Sequence, residues 1–78
     1  MPYKKILAEN IIRFRNNENI SQIEIALRSD VSRKTISLIE KEMANVTLNT
    51  LEKLSAYMGL TMAELFTEGF VGKHLESR

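Results

Sequence analysis

From Lys5 to Phe66 the apolar side chains recur every three or four positions, the spacing that lays them along one side of a helix. Strand-like alternation is scarce, and one proline (Pro2) and three glycines (Gly59, Gly69, Gly72) are all the strong breakers in the chain. The pattern predicts an all-α fold with short connections. A first helix over about Lys5 to Asn17 sets Leu7, Ile11 and Phe14 on one stripe and ends in the polar run Asn16-Asn17-Glu18-Asn19. Ser21 followed by Glu24 is a capping-box pattern, so a second helix is expected from Gln22 to about Ser29. Asp30 falls at the corner, where a positive φ is expected and Asp tolerates it better than most residues. Ser32 caps a third helix running to about Glu42, with Val31, Ile36 and Ile39 facing inward. Thr47 caps a fourth that carries Leu48, Leu51, Leu54, Tyr57 and Met58 and closes at Gly59. Thr61 and Glu64 make a second capping box, opening a short fifth helix with Leu65 and Phe66. From Thr67 onward a loop with a short helix and a frayed end are equally compatible with the pattern.

The third helix changes the picture from fold to function. Its aliphatic side is matched by a side bearing Arg33, Lys34, Ser37 and Lys41. A helix built this way packs on a small core and offers a cationic, hydrogen-bonding face to a DNA groove. Ala26 and Ser29 supply the small side chains needed where two helices meet steeply across a short corner.

Composition narrows the remaining classes. Seventy-eight residues, 44% hydrophobic and 27% charged, describe one globular domain (1–78), with its core over about 5–66 and a tail at 67–78. The absence of cysteine excludes disulfides and thiolate metal sites, and His74 is a single histidine, so neither metal nor cofactor is expected. No apolar run approaches the roughly 18 residues of a membrane span, and the Met-Pro-Tyr-Lys-Lys start lacks a signal-peptide core. The expected location is the cytoplasm, with no membrane partner. Net charge is only +1, but residues 1–41 hold eight bases against five acids while residues 42–78 hold three against five. That split fits one nucleic-acid face and another surface left for something else. Gly69-Phe70-Val71-Gly72-Lys73 lacks the spacing of a phosphate loop, and no serine has a histidine at recognisable spacing, so an enzyme is not expected.

Arg15, Ser21-Gln22, Ile25-Ala26, Val31-Ser32, Thr35-Ile36-Ser37 and Ile39-Glu40 stand in one register, followed by Leu48, Thr50-Leu51, Leu54, Gly59-Leu60 and Glu64-Leu65-Phe66. In that register the chain resembles the lambda-repressor and Cro-like (Xre-type) helix-turn-helix regulators from about Ala8 to Phe66. The resemblance implies a five-helix DNA-binding domain with the helix-turn-helix at helices two and three. It implies base contacts from Arg33, Lys34 and Ser37, and DNA-backbone contacts from Gln22, Ser21, Thr35 and Lys41. Arg15 and Glu40 occupy positions that often pair as an ion bridge between helices one and three. The family usually binds double-stranded DNA as a two-fold homodimer on a near-palindromic operator. Leu60, Met62, Leu65, Phe66 and Phe70 are the natural candidates for that dimer surface, and no small-molecule effector is implied.

Three departures from the pattern stand out. Glu42 replaces the glycine that commonly ends helix three, and Met43 and Ala44 replace basic residues often found after it. Leu38 is apolar at the edge of the DNA-facing side, where contact with a thymine methyl and plain packing are both compatible with its position. The run from Asn45 to Leu54 is similar to the small controller proteins of restriction–modification systems. Phage Cro-like repressors share most of these features, as do antitoxins that bind a toxin and autoregulate.

Overall fold

Four of the five helices start where a hydroxyl takes up an otherwise unpaired backbone donor. In the computed structural model, which describes residues 2–69, these are α1 (Tyr3–Glu18), α2 (Gln22–Ser29), α3 (Arg33–Glu40), α4 (Leu48–Met58) and α5 (Met62–Leu65). Ser21, Ser32, Thr47 and Thr61 accept the N–H groups of Glu24, Thr35, Thr50 and Glu64 at 3.0–3.1 Å. Each such cap is worth about 1 kcal/mol. The reciprocal half of the capping box forms only at α5, where Thr61 N–H donates to Glu64 at 2.8 Å. At α2 the expected reciprocal bond is missing, because Glu24 instead pairs with Arg28 one turn on, at 3.2 Å.

The ends follow from backbone handedness. Asn19, Asp30 and Gly59 close α1, α2 and α4 in the left-handed region, with φ of 57°, 62° and 73°. The third helix stops at Glu40, two residues short of the expected Glu42, and Glu42 itself has φ of 64°. Glu42 N–H donates to Ile39 and Met43 N–H to the Leu38 carbonyl, the paired bonds of a Schellman end. A glutamate thus holds the conformation that glycine adopts without penalty.

The core is one cluster with α3 pressed against α1 and α2, α2 against α4, and α5 against α4 and α1. Leu7, Ile11 and Phe14 of α1, Ile36 and Ile39 of α3, and Leu51, Leu54 and Met58 of α4 all belong to it. Tyr57 meets Phe14 edge-on, with ring centres 5.6 Å apart. Ala26 and Ser29 are buried, and the Ser29 hydroxyl donates to its own helix at Ile25 (2.6 Å), so its burial leaves no open hydrogen bond.

A buried asparagine ties the fold's two ends together. Asn10, 1% exposed, donates from Nδ2 to the carbonyls of Leu65 and Thr67, each at 2.9 Å, and accepts from Arg13 at 2.8 Å. This satisfies the last carbonyl of α5, a helix too short to close itself, and one carbonyl just beyond it. The expected dimer surface is corrected here. Leu60 and Leu65 lie in the core of the single chain, at 7% and 0% exposure, because α5 packs its inner face on α1 and α4. Met62 and Phe66 sit at the core's margin, half-exposed. Phe70 lies outside the described residues.

Candidate nucleic-acid interface

The helical period places Ile36 and Ile39 on the buried side of α3 and Lys34, Ser37, Leu38 and Lys41 on the opposite side, with Arg33 beside them on the first turn. Arg33, Lys34 and Lys41 are exposed, and none of them pairs with an acid among the described residues. Ser32 starts this face as both cap and donor: it accepts Thr35 N–H at 3.1 Å and donates to the Thr35 hydroxyl at 2.8 Å. Thr35 and Ser37 are both half-buried, Thr35 turned toward that cap and Ser37 on the outer side by the helix period.

Other cations in the same region are consumed by the fold. Arg15 grips Glu40 with two prongs, Nε to Oε2 at 2.7 Å and Nη2 to Oε1 at 3.0 Å, and donates from Nη1 to the Ile20 carbonyl at 3.0 Å. The two side chains are 18% and 9% exposed. The hydrogen bond to Glu40 holds the Arg15 guanidinium above its usual pKa, with the carboxylate's charge adding to it against the opposing effect of burial. Gln22 joins this pair by donating Nε2 to Glu40 Oε1 at 3.0 Å. Its amide is therefore partly engaged inside the protein, while the backbone N–H groups of the first turn of α2 remain beside it. Ser21 is exposed, its oxygen committed to the cap.

Lys53, unnoticed in the sequence, secures the corner: its Nζ lies 3.1 Å from the Asp30 carbonyl and 3.3 Å from the Asp30 carboxylate, fixing the turn between α2 and α3 to α4. No pattern in the chain announces that contact. Asn10 did carry a signal, a polar residue at a core position of an otherwise apolar stripe. An apolar groove of about 460 Å³ opens between Tyr3, Leu7, Ile39, Val46 and Phe66, away from Arg33 and Lys34. Among the described residues no three acids or histidines come together as a metal site, and no helix is long and apolar enough to cross a membrane.

Comparison with known proteins identifies the family and the fold. Residues 11–65 match the helix-turn-helix family, a span from the middle of α1 to the end of α5. Control protein C.SmaI of Serratia marcescens is 39% identical over 67 residues, covering 86% of this chain and 80% of that protein. Control protein C.MunI of Mycoplasma sp is 42% identical over 50 residues, 64% of this chain and 68% of that one. The crystal structure of the hypothetical transcription factor NHTF from Neisseria superposes with a TM-score of 0.78 at 30% identity, covering 86% of this chain and 77% of the other.

Proposed function

Because the chain belongs to the helix-turn-helix family of DNA-binding transcription regulators, we propose that it acts as a homodimer on a near-palindromic operator and serves as the controller of a restriction–modification system. The observation that carries the DNA-reading assignment is the division of cations around α3. Arg15, Arg28 and Lys53 are held by Glu40, Glu24 and Asp30, whereas Arg33, Lys34 and Lys41 are left to solvent. A fold that needed those three charges for its own stability would pair them.

In this reading the amino end of α3 enters the major groove. Arg33 grips guanine O6 and N7 in a two-pronged contact, Lys34 reads a neighbouring guanine, and Ser37 reaches a base one turn on. Ser21, Gln22, Thr35 and Lys41 hold phosphates and set the register. One such module reads too few bases to single out a site, so a second copy places its own α3 about one DNA turn, roughly 34 Å, away. Met62 and Phe66 at the core's margin, with Phe70, are the side chains proposed to meet that copy. Weak association then makes occupancy depend on concentration, and two dimers on adjacent sites activate or repress according to where they lie relative to the promoter. The similarity to two control proteins supports the controller role.

The test pairs Arg33→Ala and Lys34→Ala with binding to DNA from upstream of the protein's own gene, at fixed salt. The expected result is a loss of both affinity and site preference. Unchanged binding by the double variant refutes the reading face. A methyltransferase and endonuclease encoded alongside support the controller role, and a toxin gene in their place refutes it.

A further inference from the structure

We infer that Leu38 is a specificity-determining residue that reads the 5-methyl group of a thymine in the major groove, an inference that rests on the proposed entry of α3 into DNA. Leu38 falls four residues after Lys34 and three before Lys41, so the helix period sets it between those two cations on the outer side. Its aliphatic neighbours in α3 are both consumed by the fold, Ile36 at 0% and Ile39 at 2% exposure. Leu38 is partly buried, with some of its side chain still open to solvent, and lies outside the core cluster, whose margin is formed instead by Ala44, Val46, Tyr57, Met62 and Phe66. The core cluster therefore does not account for an apolar residue here.

The chemistry of the groove does. A leucine neither donates nor accepts a hydrogen bond, so among lysines that face DNA it adds nothing to phosphate binding. The one apolar feature on the major-groove edges of the base pairs is the thymine methyl. Leu38 beside it removes both from water, a gain lost at a cytosine, which has only a hydrogen in the methyl's place.

The probe is a duplex carrying the site that the full chain selects from random-sequence DNA, with each thymine replaced in turn by deoxyuridine, which deletes only the methyl. Wild-type protein is expected to lose about fourfold in affinity at one thymine per half-site, the worth of one buried methyl. Leu38→Ala is expected to bind the thymine and deoxyuridine duplexes equally at that position, with its melting temperature read alongside to show that it folds. Wild-type protein that tolerates every deoxyuridine overturns the inference without recourse to a variant, and methyl sensitivity that survives in Leu38→Ala assigns it to another side chain. If Arg33→Ala still weakens binding in either case, entry of α3 into the groove stands and the role of Leu38 alone is lost.

Discussion

The two ends of α3 both carry charged side chains and use them in opposite ways. At its amino end Arg33 and Lys34 project into solvent without an acid among the described residues; at its carboxyl end Glu40 is clamped by Arg15 and Gln22 and is nearly buried. The difference lies in what each charge faces. Glu40 looks back toward α1 and the start of α2, where desolvation makes an unpaired charge expensive and a two-pronged partner necessary. Arg33 and Lys34 are exposed, so they keep their hydration without an acid to pair with among the described residues. One short helix thus divides charge that builds the domain from charge left in solvent, the charge proposed to meet DNA.

The sharpest way to break that comparison is to remove Arg33 at one end and, at the other, Arg15 of α1, the partner of Glu40. Arg15→Ala leaves Glu40 with the Gln22 amide but no countercharge, and with side chains 18% and 9% exposed the expected loss of stability is about 2–4 kcal/mol, somewhat below that of a fully buried pair. That is a large share of the roughly 4–12 kcal/mol expected for a chain of this size, and urea unfolding reads it directly. Arg33→Ala is expected to leave the urea midpoint nearly unchanged and to lower operator affinity by about 1–3 kcal/mol, mostly by relaxing preference at one base. If the two variants lost stability equally, the division between the ends of α3 would be wrong.

How much of this was legible in the sequence follows the range of the forces involved. Local determinants were plain: Ser21, Ser32, Thr47 and Thr61 cap the helices they precede, and Asp30 takes its left-handed turn. The face of α3 could be read because a helix period sorts Ile36 and Ile39 from Lys34 and Lys41 without knowledge of the rest of the chain. Contacts set by tertiary packing were not legible in the same way. Leu60 and Leu65 read as an apolar surface only until α5 folds back onto α1 and α4 and buries them. The Lys53 bridge to Asp30 spans 23 residues and depends on how α4 crosses the corner, which no local pattern encodes. Gln22 had a surface role by position, yet its amide turns inward because Glu40 offers a carboxylate 3.0 Å away.

Asn10 offers a smaller test of the same distinction, a polar side chain that builds rather than binds. Asn10→Ala removes the donor to the Leu65 and Thr67 carbonyls, 2.9 Å from each, and leaves Arg13 without its acceptor. The expected destabilisation is about 1–2 kcal/mol, less than for two wholly buried carbonyls, because water reaches the exposed end of α5. Amide exchange should show the loss concentrated at α5, with Arg33 and Lys34 unaffected. Uniform loosening across α2 and α3 would mean that Asn10 supports the reading face after all.

The smallest expected effect lies just beyond the carboxyl end of α3, and its sign is opposite. Glu42 holds φ of 64° with its side chain exposed, so its β-carbon is strained and the side chain makes no bond in return among the described residues. Glu42→Gly removes a left-handed penalty of about 1 kcal/mol and gives back part of it through the freer unfolded chain. A net stabilisation of about 0.5 kcal/mol is expected, visible as a raised urea midpoint with an unchanged slope. The same change deletes an acid near the proposed phosphate contacts, so any gain in DNA affinity has two possible sources. Glu42→Gln separates them, since it discharges the side chain and keeps the β-carbon. If the strain is in the backbone, glutamine leaves the midpoint where it was and only glycine raises it. A midpoint raised equally by both would place the penalty in charge repulsion, and the end of α3 would then be limited by electrostatics rather than by the handedness of its last turn.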